Sequence, residues 1–145
     1  MKEKIYIHYG HTKFDPMLFV DIKNEMFVKP KGGLWASDIN AEYGWKDWCT
    51  DEEFRDCQIE NSFKFKLKEG SKVLTIDNAE MLSGLPQQES IYRFLSVFLD
   101  FEKIKEEYDA IEVFISSDHQ LYYDLYGWDC DSLLVLNKEC IEEIL

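Results

Sequence analysis

The feature that most constrains this chain is the irregular order of its short apolar runs. β-Branched and aromatic segments such as "KIYIHYG", "SFKFKL", "KVLTI", "DAIEVFIS" and "DSLLVLN" have strand length and end at glycine, polar or charged residues. Between them lie stretches with helix starters and helical spacing, but strands and helices do not alternate regularly. That order favours an α+β domain over a doubly wound parallel sheet. At 145 residues the chain fits one domain, 1–145. A chain of this length buries roughly 70% of its unfolded surface.

Local signals place the elements. In "KIYIHYG" Ile5, Ile7 and Tyr9 share one face, and Tyr6 and His8 share the other. Asp15 and Pro16 open a short helix, as cap and first helical residue. The spacing predicts a helix after Ser37 or Asp38, either of which could cap it, carrying Tyr43, Trp48 and Phe54. "NSFKFKLKEGSKVLTIDN" is a hairpin or a two-strand step, with Lys64, Lys66 and Lys68 on its wet face. "AEMLSGLP" is one or two helical turns, stopped by Gly84 and Pro86. "ESIYRFLSVFLDFEKIKEEY" is the longest helical stretch, broken near Asp100. "DSLLVLN" is expected as the last strand, followed by a terminal helix or tail at "KECIEEIL".

Charge narrows the partners. The net charge is −13, from 29 acids and 16 bases, and such a field repels duplex nucleic acid and anionic membrane. No signal-peptide core and no run of membrane-spanning length occurs in the sequence, so a cytoplasmic location is expected. The four cysteines form no C-x-x-C pair, and with His8, His11 and His119 they give no zinc spacing. Reduced buried thiols and no structural metal are expected.

The sequence "KPKGGLWASD" poses a sharper question. Paired glycines let a backbone turn or let something approach it closely. Gly32 and Gly33 run straight into Trp35, so the step is either a hairpin ending in a core tryptophan or the floor of a ligand site. With ten Phe, eight Tyr and four Trp, aromatic residues alone do not locate a site. Phosphate loops, dinucleotide glycine fingerprints and G-x-S-x-G elbows do not occur.

Four stretches in order, "IYIHYGHT", "GGLWASDINAEYGW", "EEYDAIEVFI" and "DCDSLLVLNKECI", resemble the ADP-ribosyltransferase superfamily. The resemblance spans nearly the whole chain. It implies a split-sheet α+β fold, two small, mostly antiparallel sheets with flanking helices around a cleft that holds NAD. It assigns Trp35 and Tyr43 to the nicotinamide, with Gly33 and Ser37 in the same step. It assigns Tyr9, Gly10 and His11 to the adenosine end, Tyr9 standing where the family has His or Arg. His8, one residue off and on the other face, reads as a surface or satisfied histidine.

The acid of the closing strand, a glutamate in the family, falls on Asp131 or Ser132, with Asp129 a second candidate. Its role would be to stabilise the oxocarbenium-like ion formed as the glycosidic bond of NAD breaks. The implied activity is toxin-like ADP-ribosyl transfer to a macromolecular acceptor such as a protein, or NAD glycohydrolysis, with NAD as substrate and no metal. Two other readings stand beside it. One is a catalytically inactive module that binds a nucleotide or NAD derivative. The other is an acidic, inhibitor-like interaction domain.

Overall fold

The computed structural model describes residues 4–9, 11–24, 30–40, 44–45, 62–88, 99–125, 128 and 130–144. Among these, seven strands form one sheet: β1 Tyr6–Tyr9, β2 Leu34–Asp38, β3 Ser62–Leu67, β4 Val73–Ile76, β5 Ala110–Val113, β6 Ser132–Val135 and β7 Ile141–Ile144. Their spatial order is β4-β5-β6-β2-β1-β3-β7. Every pairing is antiparallel except β4 with β5. A parallel pair needs a long crossover, and here it contains the 3-10 turns Ala79–Gly84 and the helix α1, Phe101–Ile104. The fold is therefore mixed α+β with a mostly antiparallel sheet and few short helices.

The sheet curls strongly. Between β5 and β1 lie β6 and β2, which in a flat sheet would separate them by about 14 Å. Yet the Tyr6 hydroxyl on β1 donates to Glu112 Oε1 on β5 at 3.2 Å. The concave face packs Tyr6, Ala36, Phe63, Phe65, Leu133, Val135 and Ile141. The convex face packs Ile111, Val113, Leu134 and Leu136 under Phe101, Ile104, Trp128 and Leu121 of the second helix, α2, His119–Asp124.

Alternation explains who faces where. In β3, Phe63 and Phe65 are buried, Lys64 is exposed and Lys66 half-buried, so the wet-face reading of the lysines holds. β5 and β6 are buried along their whole length on both faces, which their near-continuous apolar runs require. Asp15 Oδ1 accepts from the Met17 N–H and Pro16 opens the 3-10 turn Pro16–Leu18, as the sequence signals.

Three expectations need adjusting. The strands make one continuous sheet sharing β2, not two separate ones. β3 and β4 are not a hairpin, because the turn after Lys68 carries the chain from one side of the curled sheet to the other. Residues 141–144 form β7, not a helix or tail: "IEEI" pairs with β3, setting Glu142 opposite Lys66 with a 3.6 Å ion pair. Ser37 and Asp38 end β2. Asp38 Oδ1 accepts from Asn40 N–H, while Ser37 Oγ accepts from Trp45 N–H. Most of the helix expected after them, and the helical stretch at 89–98, lie outside the described residues.

Candidate functional site

β2 changes partners halfway along. Its first half, Leu34 to Ala36, pairs with Val135 to Leu133 of β6. Its second half, Ser37 and Asp38, pairs with Ile7 and Tyr6 of β1. The sheet therefore opens twice, between β1 and β2 at one end and between β2 and β6 at the other. An opened ladder leaves backbone groups without strand partners, and such groups need substitutes.

Side chains supply them. In the β1–β2 split, His8 Nδ1 lies 2.6 Å from the Trp35 carbonyl oxygen. In the β2–β6 split, Ser37 Oγ donates to the Asp131 carbonyl at 3.0 Å and accepts from the Trp45 N–H. His8 is thus a satisfied histidine that bridges the β1–β2 split to the Trp35 carbonyl.

The β1–β2 split forms a recess of about 80 Å³ lined by His8, His11, Lys13, Phe14, Asp15, Phe19, Gly33, Leu34 and Phe63. Three Phe rings wall it, with Phe63 5.2 Å from His8 and 6.2 Å from Phe14 between ring centroids. His8 Nε2 is 3.1 Å from His11 Nδ1, and the two ring planes lie within 18°. His11 and Lys13 are exposed at the rim. An apolar cavity that takes a benzene ring measures roughly 150 Å³. The recess is therefore about half the size of a cavity that encloses a whole ring.

Gly33 belongs to this wall for a reason within the chain itself. Its φ is +75°, its N–H donates to the Val20 carbonyl at 2.8 Å, and a Cβ would meet Leu134, Ile22 and Val135 at under 3 Å. Gly32, at φ +82°, would place a Cβ 2.3 Å from the Asp21 carbonyl oxygen. What approaches the paired glycines closely is the segment Val20–Ile22, held by the Lys23–Lys31 bridge.

The other expected site residues fall elsewhere. Tyr9 lies opposite Ser62 on β1, on the face away from His8. The Trp35 ring packs on the convex core, edge-on to Trp128 with centroids 4.8 Å apart and to Trp45 at 6.2 Å. Ser37 is buried in the second split. Asp131 is 5% exposed, and both carboxylate oxygens are engaged: Oδ1 accepts from Ser116 N–H at 2.9 Å and Oδ2 from Ser116 Oγ at 2.6 Å. Ser132 Oγ donates to the Cys130 carbonyl. Gly10, Tyr43 and Asp129 lie outside the described residues.

The structure thus gathers His11 and Gly33 at one recess and joins Ser37 to Asp131 at the other split. His8, Lys13, Phe14, Phe19 and Phe63 also line the first recess, where sequence reasoning did not place them. Strand alternation did separate His8 from Tyr9, and that was the available signal.

A larger recess of about 560 Å³ lies at the start of β1, lined by Lys4, Tyr6, Lys66, Leu67, Lys68, Glu69 and Glu142. Its charges are largely matched internally. Lys66 pairs with Glu142, and Lys4 Nζ pairs with Glu112 at 3.0 Å. Burial, and then the Glu112 carboxylate, push the Tyr6 hydroxyl far above the usual phenol range, so it stays a donor. Size favours this recess, but the β1–β2 split has the three Phe walls and an exposed histidine, His11.

Among the described residues, no cluster of three or more His, Cys, Asp or Glu could hold a metal ion. No described helix is long and apolar enough to cross a membrane. No family model, no curated protein and no solved structure matches this chain.

Proposed function

We propose that the chain binds a nucleotide of the NAD type at the β1–β2 split, as a binding module and not as a transferase working through Asp131. The observation that carries this reading is the split itself. His8 reaches across it to the Trp35 carbonyl, and an aromatic-walled recess opens beside it with His11 and Lys13 at the rim. The resemblance to ADP-ribosyltransferases draws on the same two stretches, and a flat ring or ribose edge suits walls of Phe14, Phe19 and Phe63. A phosphate group would then lie at the exposed rim, within reach of N–H donors.

The engagement of Asp131 favours binding over transfer. A carboxylate that stabilises a developing cation must face it across a site. This one is buried and occupied on both oxygens by Ser116.

The test is calorimetric titration of the purified chain with NAD and with ADP-ribose at pH 6, with nicotinamide release followed in the same samples. Binding of both, weakened about tenfold or more by His11→Ala and without nicotinamide release, is the expected result. Release that disappears in Asp131→Asn would restore the transferase, with a protein acceptor or water as its target. No binding of either ligand would remove the nucleotide reading.

A further inference from the structure

The His8–His11 pair carries an inference about how its recess recognises a ligand, resting on the reading of that recess as the binding site. A carbonyl oxygen can only accept, so the 2.6 Å contact to Trp35 O requires the proton of His8 to sit on Nδ1. In neutral His8 the Nε2 atom is then an acceptor, and His11 Nδ1, 3.1 Å away, must be the donor. The near-parallel planes, with centroids 5.3 Å apart, set the two rings side by side for that N–H···N contact. Neutral His11 is left with its lone pair on Nε2, at the exposed rim. One proton added there turns the rim from acceptor to donor without disturbing either bond behind it.

We propose that the recess binds an oxyanion, a sulfate or a phosphate of a nucleotide, by taking up one proton on His11 as the anion arrives. The charged groups around the pair make the proton necessary. Lys13 and Asp15 face it from the loop after β1, and Glu143 from β7 accepts the Phe14 N–H at 3.0 Å. β2 contributes Gly33 and Leu34, and β3 contributes Phe63, none of them titratable. With both imidazoles neutral, one cation stands against two carboxylates within a chain of net charge −13, a setting that repels anions. With one proton added, His11 Nε2–H and Lys13 Nζ become two charged donors at the rim. The proton comes from solvent and no covalent bond changes.

Calorimetry at pH 7.5 in two buffers of different ionisation enthalpy counts the protons taken up on binding. Inorganic sulfate and ADP-ribose serve as probes because the charge on their oxyanion groups stays fixed across the histidine range, about pH 5.5–8. The expected result is uptake of about one proton, with sulfate affinity falling roughly tenfold per pH unit around pH 7.5.

His11→Gln keeps an N–H donor at all pH values. It should bind with no proton uptake and a flat pH profile, while sharing the wild type's change in overall charge. Zero uptake in the wild type, equal sulfate affinity at pH 5.5 and 8, or no sulfate binding at pH 5.5 would each overturn the inference. ADP-ribose binding without proton uptake would keep the nucleotide reading and sink this one. Proton-linked sulfate binding without ADP-ribose binding would do the reverse.

Discussion

Replacing Asp131 separates a structural carboxylate from a catalytic one. It stands just before β6, and Ser116 lies in the 3-10 turn Ile115–Ser117 just after β5, so their two bonds close the β5–β6 connection at its base. Hydrogen bonds to a charged group contribute about 1.5–3 kcal/mol each. Ser116 is exposed, and water can replace part of what Asp131→Ala removes. The net cost should be about 2–3 kcal/mol. At roughly 3 °C per kcal/mol for a chain of this size, Tm should fall by about 6–9 °C. Asp131→Asn keeps an acceptor for the Ser116 N–H and should lose about 1 kcal/mol. Urea denaturation followed by tryptophan fluorescence measures both. If both variants stay within about 0.5 kcal/mol of wild type, the bonds to Ser116 are not what fixes this carboxylate. The argument against catalysis through Asp131 would then lose its basis.

Three further outcomes are expected. Gly32→Ala should cost at least about 2 kcal/mol more than Gly70→Ala in urea denaturation: both have positive φ, but only Gly32 faces a backbone oxygen, while Gly70 has open space. Equal costs would refute the close approach of Val20 and Asp21. The Tyr6→Phe and Glu112→Ala double-mutant cycle should show a coupling of about 1–2 kcal/mol, since Glu112→Ala strands a buried hydroxyl; additive effects would mean that the contact does not span the concave face. Burial, and then Asp109, raise the Cys140 thiol from 9.0 to about 12. The unfolded chain therefore loses that proton first as pH rises, and stability should fall between about pH 9 and 12. Thermal melts across that window should show a smaller fall for Cys140→Ala than for wild type, and parallel curves would contradict the assignment.

What the sequence made legible was local. The alternation of Phe63, Lys64, Phe65 and Lys66 fixed the faces of β3, and Asp15-Pro16 fixed the start of a 3-10 turn. Residues 141–144 were ambiguous, because "IEEI" is compatible with a helix until Lys66 stands opposite Glu142. The glycine pair reads as a turn or as the close approach of a ligand, whereas what approaches is the segment Val20–Ile22, brought there by the Lys23–Lys31 bridge. His8 could be assigned to the face away from Tyr9, yet its contact with the Trp35 carbonyl depends on β2 leaving β1 to pair with β6, which is a long-range choice. Trp35 read equally well as core or ligand platform, and its contact with Trp128 belongs to the core.

The central claim is that ligand enters at the β1–β2 split. Backbone chemical-shift mapping with ADP-ribose at pH 6 tests it directly. The account predicts shifts that cluster at His8, His11, Lys13, Phe14, Gly33, Leu34 and Phe63, leaving Ser116 and Asp131 unmoved. Shifts centred on Trp35, Ser37 and Asp131, or none at saturating ligand, would contradict it.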